Sequence, residues 1–225
     1  MLHLYAIVEP GTQCAGLGPD GEELVAIDCS GIVAVASEHA RPLGSVPTEE
    51  ALWEHERVLE ALLEAGPVLP VRFGVHFADR QALRAELQPR VPELARVLTE
   101  VRDRVEVSVR LLARDDAPEP ADEVDAVGGP GARYLLERLG TRREAERKLD
   151  AVRTRLAPLA VAERSRLLPR PGTPATAAFL VERHLLDRFR REACELEREL
   201  NDVALICTGP WPPYNFVDEP IGATA

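Results

Sequence analysis

Five histidines, His3, His39, His55, His76 and His184, are the side chains best placed to move protons near neutral pH. His55 stands between Glu54 and Glu56, a combination suggestive of acid–base work. Adjacent residues on a helix do not converge on one point, however, so His55 reads as a surface or partly buried histidine. His76 lies in Phe73-Gly74-Val75-His76-Phe77, where a polar ring between aromatics behind a flexible glycine could contact a ligand. Arg72 interrupts the apolar run Val68–Phe73. Strand alternation turns either Val71 and Phe73 or Arg72 inward, so Arg72 is an outward-facing strand arginine or an organising ion pair with Glu9 or Glu106. Catalysis would require Arg72, His76 and Glu106 to converge on one pocket. No nucleophile elbow, phosphate-binding lysine loop, zinc-protease helix or dinucleotide fingerprint accompanies them, and the expectation is a chain without enzymatic activity.

Cys14, Cys29, Cys194 and Cys207 are scattered, with no C-x-x-C pair and no histidine at ligand spacing. They read as reduced thiols of a cytoplasmic protein, with neither a metal site nor a bound cofactor expected. Gly16-Leu17-Gly18 and Gly128-Gly129-Pro130-Gly131 lack the strand–loop–helix setting of a phosphate cradle and read as loops.

Recognition chemistry concentrates instead at the C-terminal end, CTGPWPPYNFVD over 207–218. Aromatics make up 4 % of the chain, yet Trp211, Tyr214 and Phe216 fall within six residues, interleaved with Pro210, Pro212 and Pro213. Proline fixes φ and removes a donor, which predicts a stiff, extended ribbon. Such a ribbon loses little entropy on docking. Trp211, Pro212, Pro213, Tyr214 and Phe216 are therefore candidates for a clasp within the chain or for an epitope that binds a partner.

The elements that must position these residues follow from hydrophobic periodicity. Strands are expected at Leu2–Val8, Glu23–Cys29 and Ile32–Ser37, the last two joined by a tight Ser30-Gly31 turn. A helix capped by Thr48 should run over 49–65, with Leu52, Leu59, Leu62 and Leu63 inward and Gly66 as its stop. Pro67–Phe73 reads as a strand that its internal proline confines to an edge. A helical stretch over 79–103 should break or kink at Pro89 and Pro92. Val105–Leu112 alternates as a strand, with Val105, Val107, Val109 and Leu111 on one face.

The acidic, Pro- and Gly-rich segment 115–131 reads as a solvated loop. Beyond it come a helix at 132–139, a restart at Thr141 after Gly140, strands at Ser165–Leu168 and Ala175–Glu182, an amphipathic helix through Leu186 and Leu200, and a strand at Val203–Thr208. From Val105 the order is β-α-β-β-α-β, the ferredoxin-like arrangement with both helices on one sheet face. The fold class is thus α+β in two domains: a mixed α+β domain at 1–104, then a ferredoxin-like domain at 105–225 that includes the loop 115–131 and the tail 209–218.

A formal charge of −11 makes nucleic acid and anionic membranes poor partners. The first ten residues read as a strand, not as a signal peptide, and no apolar run is long enough to span a bilayer.

VLPVRFG at 68–74 and TGPWPPYNFV at 208–217 together resemble the gas vesicle protein F/L family. Tyr5–Val8, His55-Glu56 and Phe179–Val181 occur in the order that family shows, and Asn215 stands where Ser is expected. The resemblance implies a non-enzymatic, minor component of gas vesicles, cytoplasmic before assembly. It implies binding to the hydrophobic shell protein, limiting its aggregation during nucleation, with other gas vesicle accessory proteins as further partners. It also implies two α+β domains, the second a modified ferredoxin-like one. The rival reading is a ferredoxin-like regulatory module that binds a small metabolite.

Overall fold

In the computed structural model the described residues are 1–14, 16, 18, 21–40, 48–113, 130–170, 173–200 and 203–217. The acidic loop 115–129, the Pro171-Gly172 turn and Asp218 lie outside them. The chain forms two compact units, residues 1–106 with 210–225, and residues 107–209. The aromatic tail from Pro210 therefore groups with the N-terminal unit and not with the residues that immediately precede it.

The first unit is built on β1 (Leu2–Val8), buried along its whole length. β2 (Leu24–Asp28) and β3 (Val33–Glu38) form an antiparallel hairpin through the expected Ser30-Gly31 turn. Ser30 and Gly31 both have positive φ, at 59° and 119°, which matches the right-handed twist of the flanking strands. β3 pairs with β1, and β4 (Val68–Pro70) pairs with β1 on its other side, giving the order β2-β3-β1-β4. Pro70 is thus on an edge strand, as its missing N–H requires. β4 is shorter than the expected 67–73 strand, and a short β5 (His76–Phe77) also pairs with β1, bringing His76 opposite His3.

α1 (Glu49–Ala65) is capped by Thr48, whose Oγ1 accepts from the Ala51 N–H at 3.2 Å. It buries His55, Val58, Leu59, Leu62 and Leu63. Leu52, expected inward, is exposed, because it falls at the margin of the buried stripe. The break at Pro89 is real: α2 (Arg80–Leu87) gives way to a 3-10 turn over Gln88–Arg90, and α3 (Val91–Val101) follows. Pro92 sits in the first turn of α3, where its missing N–H costs nothing.

The second unit has the order β7-β8-β6-β9, where β6 is Arg104–Ala113, β7 Ala162–Arg170, β8 Thr173–Glu182 and β9 Val203–Trp211. α4 (Pro130–Leu156) links β6 to β7, and α5 (Leu186–Glu199) links β8 to β9, completing the ferredoxin-like βαββαβ pattern. Val107, Val109 and Leu111 of β6, with Ala177, Phe179 and Val181 of β8, face Leu149, Val152 and Leu156 of α4 and Phe189, Ala193 and Leu196 of α5 in one core. Both helices therefore cover one face. The expected interruption at Gly140 is absent: α4 is continuous, since a lone glycine costs a helix only about 1 kcal/mol among strong helix formers. Arg155 of α4 reaches Glu192 at 2.7 Å and Glu195 and Glu199 at 3.5 Å, raising the guanidinium pKa and lowering that of Glu192.

Candidate functional site

The tail departs from the polyproline ribbon expected for it. β9 continues through Gly209 and Pro210 to Trp211, and Tyr214–Phe216 turn into a 3-10 helix. Gly209, at φ 124°, lets the strand carry on, and the prolines act at its end, where no ladder donor is required. The turn closes with Tyr214 N–H donating to the Pro212 carbonyl at 2.8 Å and Phe216 N–H to that of Pro213 at 3.0 Å.

This turn is held within the first unit by two carboxylates. Glu106, 3 % exposed at the start of β6, accepts from the Asn215 backbone N–H at 2.8 Å and from its Nδ2 at 2.6 Å. Glu56 of α1 accepts from the Tyr214 hydroxyl at 3.0 Å. Burial pushes the Glu56 carboxyl up, opposed by the Tyr214 hydrogen bond. Burial, reinforced by Glu56, raises the Tyr214 phenol far above its ordinary value, so it remains a donor. Pro212, Pro213 and Phe216 are buried, Trp211 and Tyr214 are half-buried, and Asn215 is exposed.

Arg72 is exposed, close enough to Tyr214 to act on it electrostatically. Of the two acids considered as its partners, Glu9 bonds Arg102 and Glu106 accepts from Asn215. His76 packs beside His3 with ring centroids 5.0 Å apart, and its Nδ1 hydrogen-bonds the Gly74 carbonyl at 2.8 Å.

A second cluster, missed from sequence, lies in the core of the same unit. His55 is 1 % exposed, neither on the surface nor beside reacting acids. Its Nε2 is 2.9 Å from the Val71 carbonyl and must donate to it, which leaves Nδ1 as an acceptor. His3 Nε2, 3.1 Å away, donates to that Nδ1. His3 Nδ1 is then a bare acceptor, buried and without a hydrogen-bond partner. Tyr5 stacks on His55 at 5.1 Å, and its hydroxyl meets Ser37 Oγ at 3.0 Å, which in turn meets His39 Nε2 at 2.6 Å.

Burial, with the fields of the neighbouring histidines, lowers the His3 pKa to about 3, and burial lowers that of His55 to about 4. Both rings are neutral at physiological pH and act as oriented polar packing. The only signal available in the sequence was His3 alternating within a strand that is otherwise apolar. Among the described residues no group of three or more His, Cys, Asp or Glu could hold a metal ion. No helix among them is long and apolar enough to cross a membrane.

Comparison with known proteins places this arrangement. Gas vesicle protein F2 of Halobacterium salinarum is 30% identical over 179 residues, covering 78% of this chain and 72% of the relative. Gas vesicle protein F of a Streptomyces species is 29% identical over 227 residues, covering 92% of each. The crystal structure of gas vesicle protein GvpF from Anabaena superposes with a TM-score of 0.81 at 21% identity, over 97% of this chain and 96% of that one, and so shares the fold. The profile of the family described as gas vesicle synthesis protein GvpL/GvpF matches residues 1–218, both unit cores and the tail turn included, and the chain belongs to that family.

Proposed function

We propose that this chain binds the hydrophobic shell protein of the gas vesicle and limits its aggregation while a vesicle is nucleated and assembled. Membership of a gas vesicle synthesis family across residues 1–218 carries the reading. The physics of the molecule supports it. A shell subunit awaiting incorporation exposes apolar surface and unpaired edges, which are aggregation templates. A holder must cover those surfaces without joining the aggregate. A net charge of −11 keeps copies of this chain apart, and β2, β4, β7 and β9 end their sheets among the described residues. Those edges could pair with an extended segment reversibly and without chemistry.

Within this proposal the tail is a clasp. Its hydroxyl, amide and buried rings are spent on Glu56, Glu106 and the first unit, leaving little of Tyr214 or Phe216 for a partner. The experiment is co-expression with the shell protein of the same gene cluster, followed by sedimentation of the lysate. Shell protein in the supernatant, co-purifying with this chain, is the expected result. Shell protein that pellets unchanged overturns the reading.

A further inference from the structure

Trp53 is 61 % exposed, more than any other large apolar side chain among the described residues, in a chain with only two tryptophans. It lies at the centre of the outer face of α1, one turn from Glu49 and Arg57, opposite the stripe that buries His55, Leu59 and Leu62. The indole is tethered to its own helix by one bond, its Nε1–H donating to Glu49 Oε1 at 3.3 Å. Its polar edge is satisfied while its apolar faces stay in water. A large, rotamer-fixed aromatic loses little freedom on being covered, which is the property of a binding anchor.

The surroundings state the sign of what covers it. Among the described residues of α1, Glu49, Glu50, Glu60 and Glu64 are exposed on the side of Trp53, with Arg57 the one cation among them. Like charge disfavours a second copy of the same face, and the whole-chain charge of −11 adds to that repulsion. We infer that this face of α1 docks a cationic amphipathic segment of a protein partner, an apolar side chain covering the indole while flanking Lys or Arg side chains meet the glutamates. The inference deepens the holding role proposed above and rests on it.

The test uses the full chain carrying Trp211→Phe, so that Trp53 is the sole indole. It is titrated with a Leu/Lys amphipathic helical peptide and with its Leu/Glu counterpart. The expected result is a blue shift of Trp53 emission with the cationic peptide only, weakening as salt is raised. Trp53→Ala, followed by anisotropy of labelled peptide, should bind about tenfold or more weakly, and Glu49→Lys with Glu60→Lys should weaken binding similarly. An equal response to both peptides, or none to either, overturns the inference. So does a blue shift that grows with protein concentration in the absence of peptide, which would name a second copy as the occupant. Sedimentation separates this idea from its premise. If wild type and Trp53→Ala hold the shell protein equally, the holding role stands and this docking surface falls. If wild type holds none, the holding role itself falls.

Discussion

At the scale of single residues, the consequential groups are those deprived of water. His3 and His55 are neutral when folded, with pKa values near 3 and 4, against about 6.5 in the unfolded chain. As pH falls below about 6.5 the unfolded chain takes up protons that the folded one refuses. Stability is therefore fully present above that pH and drains away toward pH 3–4, by about 1.4 kcal/mol per pH unit for each histidine. Urea midpoints measured from about pH 8 to about pH 5 should be flat at first and then fall, and His55→Gln should flatten the fall. An acid-insensitive wild type would contradict neutral burial. Asn215→Ala should cost about 1–2 kcal/mol, because Glu106 loses the Asn215 Nδ2 donor; Asn215→Asp should cost more by setting two carboxylates face to face. A serine at this position could reach Glu106 with only one side-chain donor, as Asn215 does, but on a shorter arm. Gly18 is a close-approach glycine: a Cβ there would come within 2.2 Å of the Tyr5 hydroxyl, so Gly18→Ala should disturb the Tyr5–Ser37–His39 chain.

The elements carry a different class of prediction, because their ends obey local rules. Thr48 and Asp79 each satisfy an orphan N–H at the start of a helix, and Thr48→Ala or Asp79→Ala should cost about 1 kcal/mol in chemical denaturation. Ser30 occupies the left-handed region at φ 59° for the sake of the β2–β3 turn, so Ser30→Gly should be neutral or stabilise by up to about 1 kcal/mol. The Thr48 cap and the Ser30-Gly31 turn were legible because capping and turn chemistry act over four residues. What misled was chemistry that depends on a neighbour. Gly140 suggested a break, but the surrounding Leu, Glu and Arg favour one continuous helix. Leu52 counted as apolar and therefore inward, although only the packing of α1 decides where the buried stripe ends.

For the whole molecule, the tail is the telling feature, since residues 210–217 complete the unit to which the chain's first residues belong. Truncation after Gly209 should destabilise the first unit by at least about 3 kcal/mol, through exposure of the Phe216 site and loss of the donors to buried Glu106. Amide exchange should quicken in α1 and at the start of β6, with α4 and α5 slow as before; exchange unchanged throughout would show the tail to be dispensable.

The sequence by itself determined most of the strands, the Thr48-capped helix, the βαββαβ order and the family, because each is written in periodicity or in short motifs such as VLPVRFG and GPWPPY. It also marked Trp211–Phe216 as exceptional. Only tertiary structure decided that β9 runs on to Trp211, that Tyr214 and Asn215 spend their donors on Glu56 and Glu106, and that His3 and His55 share one proton chain. Those partners are separated by 158, 109 and 52 residues. No local pattern encodes which buried acceptor a distant donor will meet; the pull on buried polar groups to find partners acts only once the chain has closed.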